Sequence, residues 1–178
     1  MRIQQIVLFP VFICLLISCQ PTNEQLLNKA NQFSRDSNFD KAIEIYTSVI
    51  KSNDQLPLAW YERGLAYQAT RKYTLAMADY NKVLALKPSD IPYVDDALFQ
   101  RAQVKFYVDS LESAYADLAL LIDKSYKKAS CLLWQGAIYV KKGEKAAACP
   151  FFIKAKELAA TPIEIQQSNE AASVYCGK

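Results

Sequence analysis

Apolar and small residues recur along this chain at the four- and three-residue spacing of a helix face. Leu26, Ala30 and Phe33 make one such set; Trp60, Gly64 and Tyr67 another; then come Leu98 and Ala102, and Leu132, Gly136 and Tyr139. Between them lie shorter pairs at i, i+4: Ala42 with Tyr46, Ala76 with Tyr80, Ala114 with Leu118, and Ala148 with Phe152. Polar residues fill the other positions, which is the pattern of helices buried along one stripe. The two kinds of set alternate, so the spacing predicts pairs of antiparallel helices. A last face is traced by Ile163, Gln167, Ala171, Val174 and Tyr175, after a Thr161-Pro162 helix start.

The small residues set the period. Ala30 to Gly64 is 34 residues, Gly64 to Ala102 is 38 and Ala102 to Gly136 is 34, the four extra residues falling in "SDIPYV". Within residues 57–88, Trp60, Gly64, Tyr67, Ala76, Tyr80 and Pro88 fall at the places of W-x2-L-G-x2-Y, A-x3-F and P, with Arg63 at the Leu and Tyr80 at the Phe. The chain thereby resembles the tetratricopeptide repeat family. That resemblance implies an all-α fold: a right-handed α-solenoid of about four helix-turn-helix repeats, near 23–56, 57–90, 95–128 and 129–161, closed by a capping helix over 162–178. Each repeat buries its faces against its neighbours. Small residues at 30, 64, 102 and 136 are expected to face Ala42, Ala76, Ala114 and Ala148 and let paired helices approach closely. Lys105 stands where the family has an aromatic, with Phe106 or Tyr107 as the substitute. Pro57 suits a first helical turn, Asp109 or Ser110 can cap a helix start, and Pro150 predicts an irregularity over 146–150.

Composition narrows the function classes. Histidine is absent, and the 21 Lys and Arg are interspersed with 18 Asp and Glu for a net charge of +3. There is no basic block of the kind that binds nucleic acid, and the commonest general base and catalytic metal ligand is missing. The expectation is no enzyme, no cofactor, no metal and no nucleic acid. Protein or peptide binding remains, and the family resemblance puts it on the concave face made by first helices. Carried over position by position, that face comprises Leu27, Asn31 and Arg35; Leu58, Tyr61, Leu65 and Gln68; Phe99, Gln103, Phe106 and Tyr107; and Leu133, Ala137 and Lys141. Relatives that clamp a terminal carboxylate use Lys, Asn and Arg at set places, where this chain retains only Asn31 beside Leu27, Glu62, Asp96 and Gln100.

The start of the chain needs its own explanation. Arg2 precedes an apolar run over 6–17, too short for a comfortable bilayer span, and "LISC" at 16–19 resembles a bacterial lipobox. The reading is a lipoprotein signal over 1–18, lipid on Cys19 and a tether over 19–22. An uncleaved anchor or an ordinary cleaved signal is the alternative. Gln20 in place of the retention Asp of enterobacterial lipoproteins favours the outer membrane, facing the periplasm. In that oxidising setting Cys131, Cys149 and Cys176 remain, and Cys149 with Cys176, on neighbouring elements, is the expected disulfide. Unpaired small buried thiols are the competing reading. The whole chain then reads as a membrane-anchored adaptor. An accessory subunit of a periplasmic thiol or cell-wall enzyme, or a self-associating structural lipoprotein, is the alternative.

Overall fold

A computed structural model describes residues 21–86 and 93–177. The signal segment, Cys19, Pro88 and Pro92 lie outside the described residues. Among these there are nine helices and no strand: α1 (Asn23–Arg35), α2 (Phe39–Ser52), α3 (Pro57–Ala69), α4 (Tyr73–Ala85), α5 (Tyr93–Tyr107), α6 (Leu111–Asp123), α7 (Lys128–Lys141), α8 (Lys145–Leu158) and α9 (Pro162–Tyr175). Successive helices pack on one another from α1 to α9, and the first helices α1, α3, α5 and α7 also touch in sequence. That is the stacking of a solenoid.

Every repeat turns between its helices by one device. Residues 37, 71, 109 and 143 all adopt positive φ, and only the last is glycine. The next amide in each case reaches back across the turn: Asn38 N to Phe33 O, Lys72 N to Tyr67 O, Ser110 N to Lys105 O and Glu144 N to Tyr139 O, at 2.8–2.9 Å. These six-to-one bonds close the last turn of the first helix, and the left-handed residue makes them reachable. Thr22 and Thr161 start α1 and α9 with capping boxes to Gln25 and Glu164. Pro57 and Pro162 sit in first turns, where no amide is needed. Ser110 occupies the start of α6 without a side-chain bond.

The core forms where the pattern placed it. Ala30, Ala42 and Tyr46 anchor the first repeat; Ala76, Tyr80 and Val83 the second; Ala102, Ala114 and Leu118 the third; and Ala148 and Phe152 lie buried in the fourth. The close approach at the glycines has a sharper cause than helix meeting alanine. A Cβ on Gly64 would lie 2.7 Å from Cε1 of Tyr80, and one on Gly136 would lie 2.4 Å from Cε1 of Phe152. The glycines make room for rings on the second helices.

Three expectations are corrected. α8 runs without a break through Pro150. The missing amide strands only the carbonyl of Ala146, which is on the exposed face and open to water. At Lys105 neither Phe106 nor Tyr107 fills the aromatic's place; its ammonium reaches Asp117 at 2.7 Å, and Arg101 grips the same carboxylate through Nε and Nη2 at 2.8 and 2.7 Å. In α9 the inward face is Glu164, Ser168, Ala171, Ala172 and Tyr175, whereas Ile163 and Val174 are 67% and 68% exposed. Glu164 turns inward because it serves both the cap and Ser130 of α7, and this fixes the rotation of the helix.

Arg63 stands where the family pattern has Leu because it joins three helices. It bonds Asp79 twice at 2.8 Å and Thr47 of the preceding repeat at 3.0 Å. Arg101 repeats this with Asp117 and with Asn81 at 2.8 Å. The fourth repeat has Gln135 and Phe151 at the matching places, and there Tyr115, Tyr139 and Phe151 pack ring on ring.

Candidate functional site

The residues expected on one concave face divide into three groups. Leu27, Tyr61 and Phe99 are interior, only 8%, 9% and 8% exposed, each within a core cluster. They are the fifth residue of their repeats, where the first helix still faces its neighbour, and burial pushes the Tyr61 hydroxyl up to about 12. Asn31 accepts a bond from the Tyr46 hydroxyl, Arg35 donates to Gln32, and Leu58 packs on the first repeat's core; these belong to local packing. Gln103 is partly exposed on α5. The rest come together.

Phe106, Leu133, Ala137 and Lys141 line an open apolar hollow of about 450 Å³ with Trp134, Val140, Phe152, Gln167, Ala171 and Tyr175. Leu65, Gln68 and Tyr107 line a second, more polar hollow of about 640 Å³ with Ala69, Arg71 and Tyr73. An aromatic ridge separates the two. Tyr73 stacks on Tyr107 with ring centres 5.1 Å apart, Tyr107 meets the edge of Trp134 at 6.1 Å, and Phe106 meets Trp134 at 5.2 Å. Tyr107 is 47% exposed at the crest. Three repeats thus contribute rings to one surface, and α9 supplies the far wall of the apolar hollow.

Polar groups fix its edges. Lys141 lies 4.5 Å from the centre of the Phe106 ring, donates to the Phe106 carbonyl at 2.6 Å and pairs with Asp109 at 2.7 Å. A cation over a ring face is attracted by its quadrupole, so Lys141 holds the Phe106 ring from one side while Trp134 and Tyr107 pack against it. Gln68 accepts from Tyr80 at 2.8 Å and donates to Gln100 at 3.2 Å, which ties the second hollow's wall to two repeats. The sequence reading missed Trp134, Val140, Tyr73 and the α9 wall. Trp134 was findable, since it lies on the i, i+3, i+7 stripe with Ala137 and Lys141. The α9 residues were not, because their facing depends on how that helix is rotated.

The cysteines also have places. Cys149 and Cys176 form a disulfide between α8 and the end of α9, with Cα atoms 4.9 Å apart. Cys131 is free and fully buried, and burial pushes its thiol up to about 12. A thiol so placed has almost no thiolate at neutral pH.

Comparison with known proteins agrees with the geometry. Residues 57–90 and 129–162 each match the tetratricopeptide repeat model. A TPR repeat-containing protein of Methanocaldococcus jannaschii is 24% identical over 136 residues; these cover 76% of this chain but only 23% of that relative. The chain therefore spans about a quarter of that protein's length. Among solved structures, MamA of Desulfovibrio magneticus superposes with a TM-score of 0.69 at 20% identity, over 77% of this chain and 75% of that one. The first TPR of Spaghetti, solved bound to an HSP90 peptide, gives a TM-score of 0.52 at 26% identity, over 57% of this chain and 77% of that one. With its register, helix pairs and matched segments in agreement, the chain carries tetratricopeptide repeats stacked as a solenoid.

Proposed function

We propose that this chain is a membrane-anchored adaptor that receives a peptide, or an extended or helical segment of a protein, across the aromatic ridge of its concave face. The carrying observation is the open hollow bounded by Phe106, Trp134, Ala137 and Tyr175. Exposed rings backed by fixed neighbours give large contact area for little loss of side-chain freedom. A single apolar anchor side chain, Leu, Met or Phe, suits that hollow, with flanking polar residues over the Gln68 and Arg71 side. The HSP90-peptide complex of Spaghetti supports the mode of binding but not the same ligand. Asn31, the one clamp-type residue, is engaged by Tyr46, and Leu27 is buried, so nothing at the first repeat calls for a terminal carboxylate.

The test is a peptide-display selection followed by titration with Ala137→Glu. This substitution puts a charge into the hollow from a half-buried helix position that lines it. The reading predicts that selected peptides carry an apolar anchor and lose at least roughly tenfold in affinity for the variant, the cost of stranding a charge against apolar surface. Equal affinity would contradict it.

The anchoring part of the reading rests on the lipobox at 16–19 and on α1 starting at Asn23, a few residues beyond Cys19. A lipidated Cys19 would hold the solenoid against a bacterial envelope membrane, in our reading the outer membrane on its periplasmic side. Cys19→Ser should leave the protein unprocessed or release it from membranes, and mass spectrometry that finds a cleaved, unacylated N-terminus would refute the claim. Burial of Cys131 and pairing of the other two cysteines weigh against a thiol-enzyme accessory. Self-association has one favourable observation, the exposed Ile163 and Val174 on α9. Sedimentation of the Val174→Glu protein would detect it as a fall in mass.

A further inference from the structure

We propose that the Cys149–Cys176 disulfide governs the apolar hollow of the groove by holding α9 in place as its wall, so that reduction opens the hollow without unfolding the repeats. The inference rests on the adaptor reading only in calling the hollow a binding site.

α9 packs on α8 as each helix packs on the one before it, but it buries fewer residues than any other helix. Its one fully buried residue is Ser168, whose hydroxyl turns back to the carbonyl of Ile165 and so makes no bond to another helix. Its large apolar side chains Ile163, Ile165 and Val174 face solvent. It packs along α8 and touches α7, but through small and polar side chains, and its specific links to the stack lie near its two ends. Near the start, Ser130 of α7 donates to Glu164 at 2.9 Å. Near the finish, Tyr175 lies against Phe152 with ring centres 5.4 Å apart, and the disulfide follows at the next residue. Small Ala171 and Ala172 lie between, offering little buried area. A helix of 14 residues has little stability of its own in water, so it depends on these attachments.

The same residues that attach α9 form the wall. Gln167, Ala171 and Tyr175 line the hollow opposite Trp134 and Leu133, and Phe152 forms its floor beside Tyr175. With the disulfide intact, two cysteines 27 positions apart are joined and Tyr175 is returned to Phe152 whenever it leaves. A dithiol reductant supplies two electrons and two protons. Its thiolate attacks one sulfur, the mixed disulfide resolves internally, and Cys149 and Cys176 are left as thiols while the reductant becomes a cyclic disulfide. The hollow then loses one side, and a ligand anchored against Tyr175 loses its contact. The device would couple occupancy of the groove to the thiol state of the compartment.

The test uses the whole chain as oxidised protein, as protein reduced with dithiothreitol and as the Cys149→Ser/Cys176→Ser double variant. Amide exchange is read helix by helix. A Trp60→Phe background leaves Trp134 as the sole tryptophan, and its quenching by acrylamide reports on the hollow. Both thiol forms are expected to exchange α9 amides faster by roughly 30-fold or more, the scale of losing a disulfide that closes such a loop, and to expose Trp134 to acrylamide. Helices α1 to α4 are expected to be unchanged. Unchanged protection of α9 after reduction would overturn the proposal, and so would faster exchange spread evenly over all helices, which would make the bond a general staple. Neither readout involves a peptide. Failure here with peptide binding intact removes only the redox device; failure of peptide binding with these shifts present removes only the adaptor reading.

Discussion

At the residue scale, several positions have a local cause that spacing alone does not show. Gly64 is required because the Tyr80 ring, fully buried and tethered by its hydroxyl to Gln68, occupies the space of a Cβ. Gly64→Ala gains about 1 kcal/mol in helix propensity and costs about 1–3 kcal/mol in overpacking, so a net loss of up to about 2 kcal/mol is expected in urea unfolding. Asp117 is a heavier case, because its removal leaves both Arg101 and Lys105 without their partner. Asp117→Ala should destabilise by about 3 kcal/mol or more, and Asp79→Ala, which strands only Arg63, by less. Glu62 carries a different sign. Desolvation raises its carboxyl above the ordinary value, so the folded state binds that proton more tightly than the unfolded chain does. Its contribution is therefore unfavourable above the raised folded value and is relieved as pH falls below the ordinary unfolded one. Glu62→Gln should raise Tm by roughly 1–3 °C at neutral pH and by nothing in acid, a comparison two thermal melts would settle. Lys105 was legible as a departure from the pattern but not in its meaning, because the partner Asp117 is polar in a place where the pattern asks only for spacing.

At the scale of elements, the recurrent left-handed residue between paired helices explains more than any helix propensity. Ser37, Arg71 and Asp109 pay a conformational cost that Gly143 does not. Ser37→Gly should therefore stabilise by about 0.5–1 kcal/mol, read as a shift in urea midpoint with unchanged slope. The helices themselves were plain in the sequence, since i, i+4 sets and a period of 34 leave few other folds. What was not plain is rotation. A one-residue turn of α9 is about 100°, and whether Ile163 or Glu164 faces inward was decided by the capping box and the Ser130 bond, not by hydrophobicity. Burial alone lifts the Glu164 carboxyl, yet the donors from Ser130, Thr161 and Ala160 outweigh it and hold it below its ordinary value. That attachment is present above the unfolded carboxyl value and is lost as pH falls through the lowered folded one, so α9 protection, corrected for the intrinsic exchange rate, should fall at pH below the ordinary carboxyl range, while a Glu164→Gln chain should lose this pH response. Pro150 teaches the same lesson in reverse, since a breaker is tolerated where the carbonyl it strands meets water.

At the scale of the molecule, the repeats differ in what joins them. Arginine-centred bonds tie the second repeat to the first and the third to the second, whereas rings from Tyr115, Tyr139 and Phe151 join the fourth to the third. The change of chemistry falls where the face becomes aromatic and apolar: the fourth repeat, which supplies most of the hollow's first-helix lining, has Gln135 and Phe151 where the second and third have a buried arginine–aspartate pair. About half of the expected groove lies at the surface, because the first helices of the first three repeats bury their fifth position while Leu133, at that place in the fourth, lines the hollow, and only a contact between repeats reveals that. Leu27, Tyr61 and Phe99 would have been poor choices for mutation, since their loss would damage the core. The hollow beside Trp134 is the better target. The most direct measurement is therefore the fluorescence of Trp134 in the oxidised Trp60→Phe chain, titrated with a peptide from the display selection. Binding in the groove predicts a saturable change in Trp134 emission that disappears in the Ala137→Glu variant. Binding that saturates with no change at Trp134, and that Ala137→Glu leaves intact, would contradict the account.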